Sequence, residues 1–380
     1  MFRIELLDAF GVALTLMSNT SVLRFKLKFF GGSAQLFVPK GSPEATSTFL
    51  KKFNRIKIKR WNKSVNQYQS VFYGVIMKVQ EEDTGFAVGI EHILEIFKFR
   101  HTSQNQSISG QAGAEAFSLL TTANSGGNTG VTAGTQNVSA IIELEEDETP
   151  ILDVWENIAD QSDGEFEITA DGKFNFLDRL GEDKSGSLTL YFRRGEESRS
   201  NIYAPRNDIE ASKFITRLIA YSEDSSGNPL RSVIDDVNLQ AEFGIVTDTI
   251  RINSAKTQTA LDTMAQEVLN QRKNQFSEID IALVGKKKIK NLIGEEVESG
   301  IDFFDFNLGD DVNAEIYDDF QNINETRRIL AIGYMNSQNN DEIRLTLSKI
   351  GAKRLSKERN SDKAIREDLL QRMKQLERIL

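Results

Sequence analysis

The sequence predicts an α+β, multi-domain protein built mainly on antiparallel sheet. Three observations lead there. Segments that alternate apolar and polar residues fill both ends of the chain, strongly amphipathic helical segments interrupt them, and the order of elements is not a run of strand–helix–strand crossovers. At 380 residues the chain also exceeds one ordinary core, so about two to four domains are expected.

The first hundred residues read as strands. Val22 to Phe29 alternates Leu23, Phe25, Leu27 and Phe29 against Arg24, Lys26 and Lys28. Arg55 to Trp61 sets Ile56 and Ile58 against Lys57 and Lys59. Tyr68 to Val79 is rich in aromatic and β-branched residues, which suit a pleated, half-buried surface. Each basic stripe reads either as a solvated sheet face or as a wall facing DNA. Ile90, Ile93, Leu94 and Phe97 share one helical face, so a short helix is expected there. From Gln104 to Gln136 the composition turns to Gln, Ser, Gly, Asn and Thr. This predicts an exposed, mobile loop with a helical piece around Ala114 to Thr121. The acidic run Glu143 to Glu148 reads as a solvated edge.

Thr149 to Leu177 writes a helix, a turn and a β-hairpin. Thr149 is placed to cap and Pro150 to occupy the first helical position, where a missing N–H costs nothing. Ile151, Val154, Trp155 and Ile158 follow the spacing of one buried face, and Ser162-Asp163-Gly164 stops the helix. Glu165-Phe166-Glu167-Ile168 and Lys173-Phe174-Asn175-Phe176 alternate around the tight-turn pair Asp171-Gly172.

Further strands are expected over Ser187 to Arg193, Phe214 to Tyr221 and Phe243 to Ile252. Thr257 to Gln275 is an amphipathic helix with Leu261, Met264, Ala265, Val268 and Leu269 on one side. Strands return at Ser277 to Val284, Asp311 to Tyr317, Arg327 to Tyr334 and Glu342 to Ser348. Lys357 to Leu380 is highly charged, with Ile365, Leu369, Met373, Leu376 and Leu380 at helical intervals. The organisation expected is an N-terminal β-rich domain (1–103) and a helical and loop connector with the helix-hairpin unit (104–185). A second β-rich domain follows (186–256 and 277–350, with the helix 257–275 between), then a charged C-terminal helix (351–380).

Composition narrows the function. Hydrophobic content of 39% and charged content of 27% describe a globular protein. No stretch approaches the ~20 consecutive apolar residues of a membrane span, so no membrane anchor is expected. The opening Met1-Phe2-Arg3-Ile4-Glu5 lacks the layout of a secretory signal, which predicts synthesis in the cytoplasm. With no cysteine, disulfides, thiolate nucleophiles and cysteine zinc sites are excluded, and His92 and His101 are the two histidines. The net charge of −10 argues against a nucleic-acid binder of the usual basic kind. An acidic wall can still let DNA pass without sticking, because like charges repel.

No catalytic, cofactor or metal residue is assigned. Neither GxxxxGK[ST] nor GxGxxG occurs, and HExxH and GxSxG are absent. Asp235-Asp236, Asp310-Asp311 and Asp318-Asp319 are sequence neighbours, which point to opposite faces of a strand and clamp a cation poorly. His92 and His101 read as structural or surface histidines, and Lys286-Lys287-Lys288 as a solvated turn.

In this layout the chain resembles the hub proteins of tailed-phage baseplates and tail tips, related in fold to the hubs of contractile injection systems. Four segments carry the resemblance: Ile151 to Phe176; Asn207 to Asp224; the helix Thr257 to Gln275 with its following strand; and Asn307 to Asp319 followed by Glu325 to Lys349. In the last of these a Leu-Gly-Asp turn leads into a barrel strand and two closing strands. The resemblance spans roughly Phe53 to Lys349.

The resemblance implies two β-barrel-like domains per subunit and a homotrimer whose ring joins a sixfold tail tube to a threefold tip and lines the DNA ejection channel. It implies a virion tail-tip location, no cofactor and no enzymatic activity. The implied partners are a distal tail or tail tube protein, a tape measure protein and a tip fibre or spike protein, with DNA passing unbound. A distal tail or other tail ring protein, or a tail-associated cell-wall hydrolase, are the alternatives. The terminal helix would pack on a partner, join its two copies at the threefold axis, or fold back on its own subunit. Trp155, Phe166, Phe174 and Phe176 are expected to hold the two β domains at a fixed angle.

Overall fold

The computed structural model describes residues 2–18, 20–196, 200–210, 214–224, 226–252, 255, 257–272, 276–284, 287–290, 296–318, 322–337 and 340–349. The expected C-terminal helix lies outside the described residues. Seven strands come first: β1 (Phe2–Leu7), β2 (Ala13–Met17), β3 (Ser21–Lys28), β4 (Gly31–Pro39), β5 (Arg55–Asn62), β6 (Gln67–Glu81) and β7 (Gly85–His92). A 3-10 helix, Ile93–Phe99, follows. The middle holds β8 (Gln106–Gln111), α1 (Ala112–Ser125), β9 (Thr132–Gln136), β10 (Ile141–Glu146), α2 (Ile151–Ser162), β11 (Glu165–Ile168) and β12 (Lys173–Leu177). Then come β13 (Thr189–Arg193), β14 (Ile202–Glu210), β15 (Arg217–Glu223), β16 (Pro229–Asp235), α3 (Val237–Phe243), β17 (Thr247–Arg251) and α4 (Gln258–Arg272). The last strands are β18 (Phe276–Leu283), β19 (Lys287–Lys290), β20 (Glu296–Ser299), β21 (Asp311–Tyr317), β22 (Asn322–Ser337) and β23 (Asn340–Lys349).

The chain divides into two compact units, one from Met1–Pro205 with Ile281–Leu380 and one from Arg206–Asp280. In the first, a large sheet runs in the order β23-β22-β3-β4-β7-β6-β5-β1-β2, with the local parts of β14 and β18 beyond β23. Long β22 also pairs with β21, which pairs in parallel with β13. The β22–β3 ladder sets Tyr334 opposite Phe25, so the two β-rich ends of the chain share one sheet. Their rings stack at 5.3 Å, and Phe2 adds an edge contact to Tyr334 at 4.7 Å. Among the described strands no barrel closes: β2, at one end of the order, pairs with β1 alone.

The helical layer forms its own core. Trp155 is fully buried, lies 4.2 Å from Phe174 in a stacked pair and 4.7 Å from Phe97, and donates its indole N–H to the Ala116 carbonyl at 2.9 Å. Phe166 and Phe176 stack beneath. This cluster ties α1, α2, the 3-10 helix and the β11–β12 hairpin to Leu7 and Tyr73 of the N-terminal strands. It buries apolar area within one unit, which is how the helix-hairpin is anchored.

The structure corrects several local expectations. Within Gln104–Gln136 the expected helical piece forms, as the longer α1, but the stretches around it hold β8 and β9 in place of a single exposed loop, and Ile108, Ala112, Ala116, Leu119, Leu120, Ala123 and Val131 are buried. Small residues let α1 approach its neighbours, and the polar ones bond locally: Asn124 receives the Thr129 N–H at 3.0 Å and donates to the Val131 carbonyl at 3.1 Å. Thr149 does not cap α2. Pro150 is the N-cap, and the Ile151 N–H donates to the Arg100 carbonyl at 2.8 Å, so a neighbouring segment satisfies the first turn. Ile90 belongs to β7, and the short helix begins only at Ile93 as a 3-10 helix. Within Phe243 to Ile252, the strand is limited to Thr247–Arg251. The turn at Asp163 forms as expected, with φ of 57° in the left-handed region.

In the second unit β15 lies between antiparallel β16 and parallel β17. Helix α4 covers one face, where Leu218 and Ala220 meet Leu261, Ala265 and Leu269. The amphipathic spacing of the α4 sequence thus finds its sheet.

Candidate functional site

Two segments of the first unit carry the same phrase, Leu-Gly-acid-Asp: Leu180-Gly181-Glu182-Asp183 and Leu308-Gly309-Asp310-Asp311. They cross backbone to backbone. A Cβ on Gly181 would sit 2.1 Å from the Gly309 carbonyl carbon, and one on Gly309 would sit 2.6 Å from the Leu180 oxygen. Both glycines adopt positive φ, at 76° and 87°, so side chains are excluded twice over. Asp310, fully buried, accepts backbone N–H groups from Glu182 (2.8 Å) and Asn307 (2.7 Å) and pairs with Lys184 Nζ at 2.8 Å. Asp311 pairs with Arg179 at 2.5 Å.

Beside this crossing, Arg328 of β22 forks onto Glu165 of β11 through two bonds of 2.8 and 2.6 Å. Both side chains are nearly buried, at 5% and 6% exposure. Arg328 also donates to the carbonyls of Leu180 (2.8 Å) and Gly309 (3.2 Å), and Glu165 accepts the Leu180 N–H at 2.7 Å. The Phe29 ring lies 4.9 Å from the guanidinium. Every fork position has a partner, the condition under which a buried pair fixes geometry. The clamp joins the hairpin, the Leu180 turn, the Gly309 turn and β22.

The two basic stripes differ. On β5 the lysines are used within the subunit: Lys57 Nζ donates to the Asp171 carbonyl at 2.9 Å and Lys59 pairs with Glu5 at 2.8 Å. Burial holds Lys57 below its ordinary range. The β5 stripe is therefore half-buried and engaged within the chain. On β3, Arg24, Lys26 and Lys28 are exposed while Val22 and Phe25 point inward.

The acidic pairs are engaged locally. Asp235 accepts from Arg217 at 2.6 and 3.1 Å, and Asp236 caps α3 through the Leu239 N–H at 3.1 Å. Asp319 and Lys286 lie outside the described residues, and Lys287 and Lys288 open β19. No group of three metal-capable side chains occurs among the described residues.

No family model matches the chain, and no curated protein does. Solved structures do. The tail protein from Neisseria meningitidis MC58 superposes with a TM-score of 0.62 at 14% identity, covering 92% of this chain and 97% of that one. The 43 kDa tail protein of prophage MuSo2 from Shewanella oneidensis gives 0.58 at 13% identity, with 91% and 98% covered. Prophage tail protein gp18 from Listeria monocytogenes EGD-e gives 0.55 at 13%, with 90% and 94% covered. The chain has the fold of phage tail proteins.

Within this tail-protein fold, the sequence reading singled out the Leu308-Gly309-Asp310 turn but missed Gly181, Glu165 and Arg328. The repeated Leu-Gly-acid-Asp phrase was the available signal. Glu165 was hidden because alternation assigns it to solvent, whereas its partner lies 163 residues away.

Both histidines are structural in position. His101 is exposed and bridges to Pro150. His92 is buried, its Nδ1 accepts the Leu94 N–H at 3.4 Å, and the ring bonds the Ile168 backbone. Burial lowers its pKa to about 4 from 6.5. Between those values the unfolded chain binds a proton that the folded chain refuses, so stability falls as pH drops from about 6.5 to about 4. Denaturant midpoints should show wild type losing ~3 kcal/mol more than His92→Asn between neutral pH and pH ~4. Parallel pH profiles for the two proteins would refute a buried neutral imidazole.

Proposed function

We propose that this chain is the structural hub of a phage tail tip or baseplate. Three copies would form a ring that joins the sixfold tail tube to the threefold tip and lines the channel through which DNA leaves. The observation that carries the reading is the near-complete overlap of this fold with three tail proteins over at least nine-tenths of each chain. The functional chemistry is then fit, not turnover. The clamp at Glu165 and Arg328 holds the surfaces of one subunit in register, and the subunit acts without enzymatic activity or cofactor.

In this reading the N-terminal strands (1–103) and the later strands (186–256 and 277–350) supply the two β-rich contributions of each subunit, which meet through the β3–β22 ladder. The segment 104–185 connects them. The partners are a distal tail or tail tube protein on one side, a tip fibre or spike protein on the other, and the tape measure protein within. The acidic balance suits a wall past which DNA slides. Light scattering of the purified chain, with electron microscopy of intact particles, tests this. A mass of three chains and a threefold position at the tail end are expected. A sixfold ring would instead identify a distal tail protein, and a single copy per particle would overturn the ring altogether.

A further inference from the structure

Among the described residues the basic stripe of β3 has no ion-pair partner. Arg24, Lys26 and Lys28 are exposed on one face, ~7 Å apart along the strand. None of the three makes an ion pair among the described residues. Their floor is flat. Across from them stand Met335, Gly333 and Ala331 on β22, and Gln35, Ser33 and Gly31 on β4. The nearest carboxylates in register are Glu91, one strand further on opposite Ser33, and Glu342, opposite Met335 and already bonded to Arg344. In a chain of net charge −10, these three cations form a continuous basic stripe.

The β8–β10 ribbon carries the complement. Ile141, Glu143 and Glu145 alternate on the exposed side of β10, opposite Gln111, Ser109 and Ser107, while Ile142 and Ile108 face the core. Glu143 and Glu145 likewise make no ion pair among the described residues. Ile141 is 70% exposed and Met335 is 41% exposed, so each patch also has one apolar end.

We propose that the β8–β10 ribbon of one copy docks on the β3 stripe of the next. Glu143 then meets Lys26, Glu145 meets Lys28, and Ile141 rests on Met335 beside Arg24. The match rests on charge and on spacing, since both patches advance by two strand residues per charge. The two patches differ, so the contact is head-to-tail, and each copy offers one of each, the arrangement that builds a ring where the rotation closes. The charges set register and partner choice, and the apolar end is desolvated. The inference rests on the trimer reading and names the surfaces that would build it.

Sedimentation of the full-length protein at low and high salt tests it. Lys26→Glu with Lys28→Glu, and separately Glu143→Lys with Glu145→Lys, should each weaken self-association about a hundredfold by placing like charges face to face. All four changes together restore opposite pairing and should bring association back to within about tenfold of wild type. These side chains are exposed, so thermal melting should not move. If both paired variants assemble like wild type, or the fourfold variant is no better than either pair, the docking is wrong and the trimer stands. That includes the outcome in which the lysine variant loses only DNA binding. A wild-type chain that never self-associates removes the docking and the trimer together.

Discussion

Arg328→Met is expected to destabilise the first unit by ~3–5 kcal/mol, because it strands the buried Glu165 carboxylate. The loss exceeds that of a surface pair. Arg328 and Glu165 are 5% and 6% exposed, and the guanidinium also holds the Leu180 and Gly309 carbonyls. Removing it leaves a charge without its fork and two acceptors without their donor. Glu165→Met should cost a similar amount for the mirrored reason. The double change, Glu165→Met with Arg328→Met, should cost less than the sum of the two, since apolar side chains of comparable size can replace a buried pair. Urea midpoints of the four proteins complete the cycle. Additive effects, or single changes below ~1 kcal/mol, would show that the clamp is an ornament of the fold and not a fixing point.

Trp155→Ala is expected to cost ~3–5 kcal/mol, the range for emptying a large aromatic site. Its ring is stacked on Phe174 and packed on Phe97, and its N–H is bonded to Ala116 of α1. The cavity would open where α1, α2 and the hairpin meet, and closing it would need all three to move. Trp155→Phe keeps an aromatic ring and forfeits the hydrogen bond, so a loss of ~1–2 kcal/mol is expected. The sequence has two tryptophans, and Trp61 is only partly buried. The buried component of the fluorescence should therefore vanish in Trp155→Ala. An unchanged unfolding midpoint would mean that the helical layer is not anchored by this residue.

What was legible in the sequence was local. The helix-hairpin from Ile151 to Leu177 needs only residues near one another, and its apolar spacing, its left-handed stop at Asp163 and its Asp171-Gly172 turn all recur in the structure. The strand alternations of β3, β5 and β21 were readable for the same reason. The polar stretch from Gln104 to Gln136 was so only in part: the helical piece around Ala114 to Thr121 recurs within α1, whereas the strands beside it are defined by partners elsewhere. Thr149 matched a capping pattern, but the backbone of Arg100 reached the helix start first. The clamp was illegible because a buried glutamate follows the same alternation as an exposed one until its arginine is located.

The ladder between β3 and β22 has a consequence for how the subunit is made. Lys28 pairs with Ala331, so one edge of the N-terminal strands stays open until β22 has been made. Glu165 likewise leaves the ribosome long before Arg328 exists to neutralise it. Folding dominated by such distant pairings is slow and leaves strand edges exposed while it proceeds. A chain terminated before β22 has neither the closing strand nor the arginine, so it cannot take this shape. Closure of the sheet on β22 thus works as proofreading: only a chain that extends through β22 gains this shape.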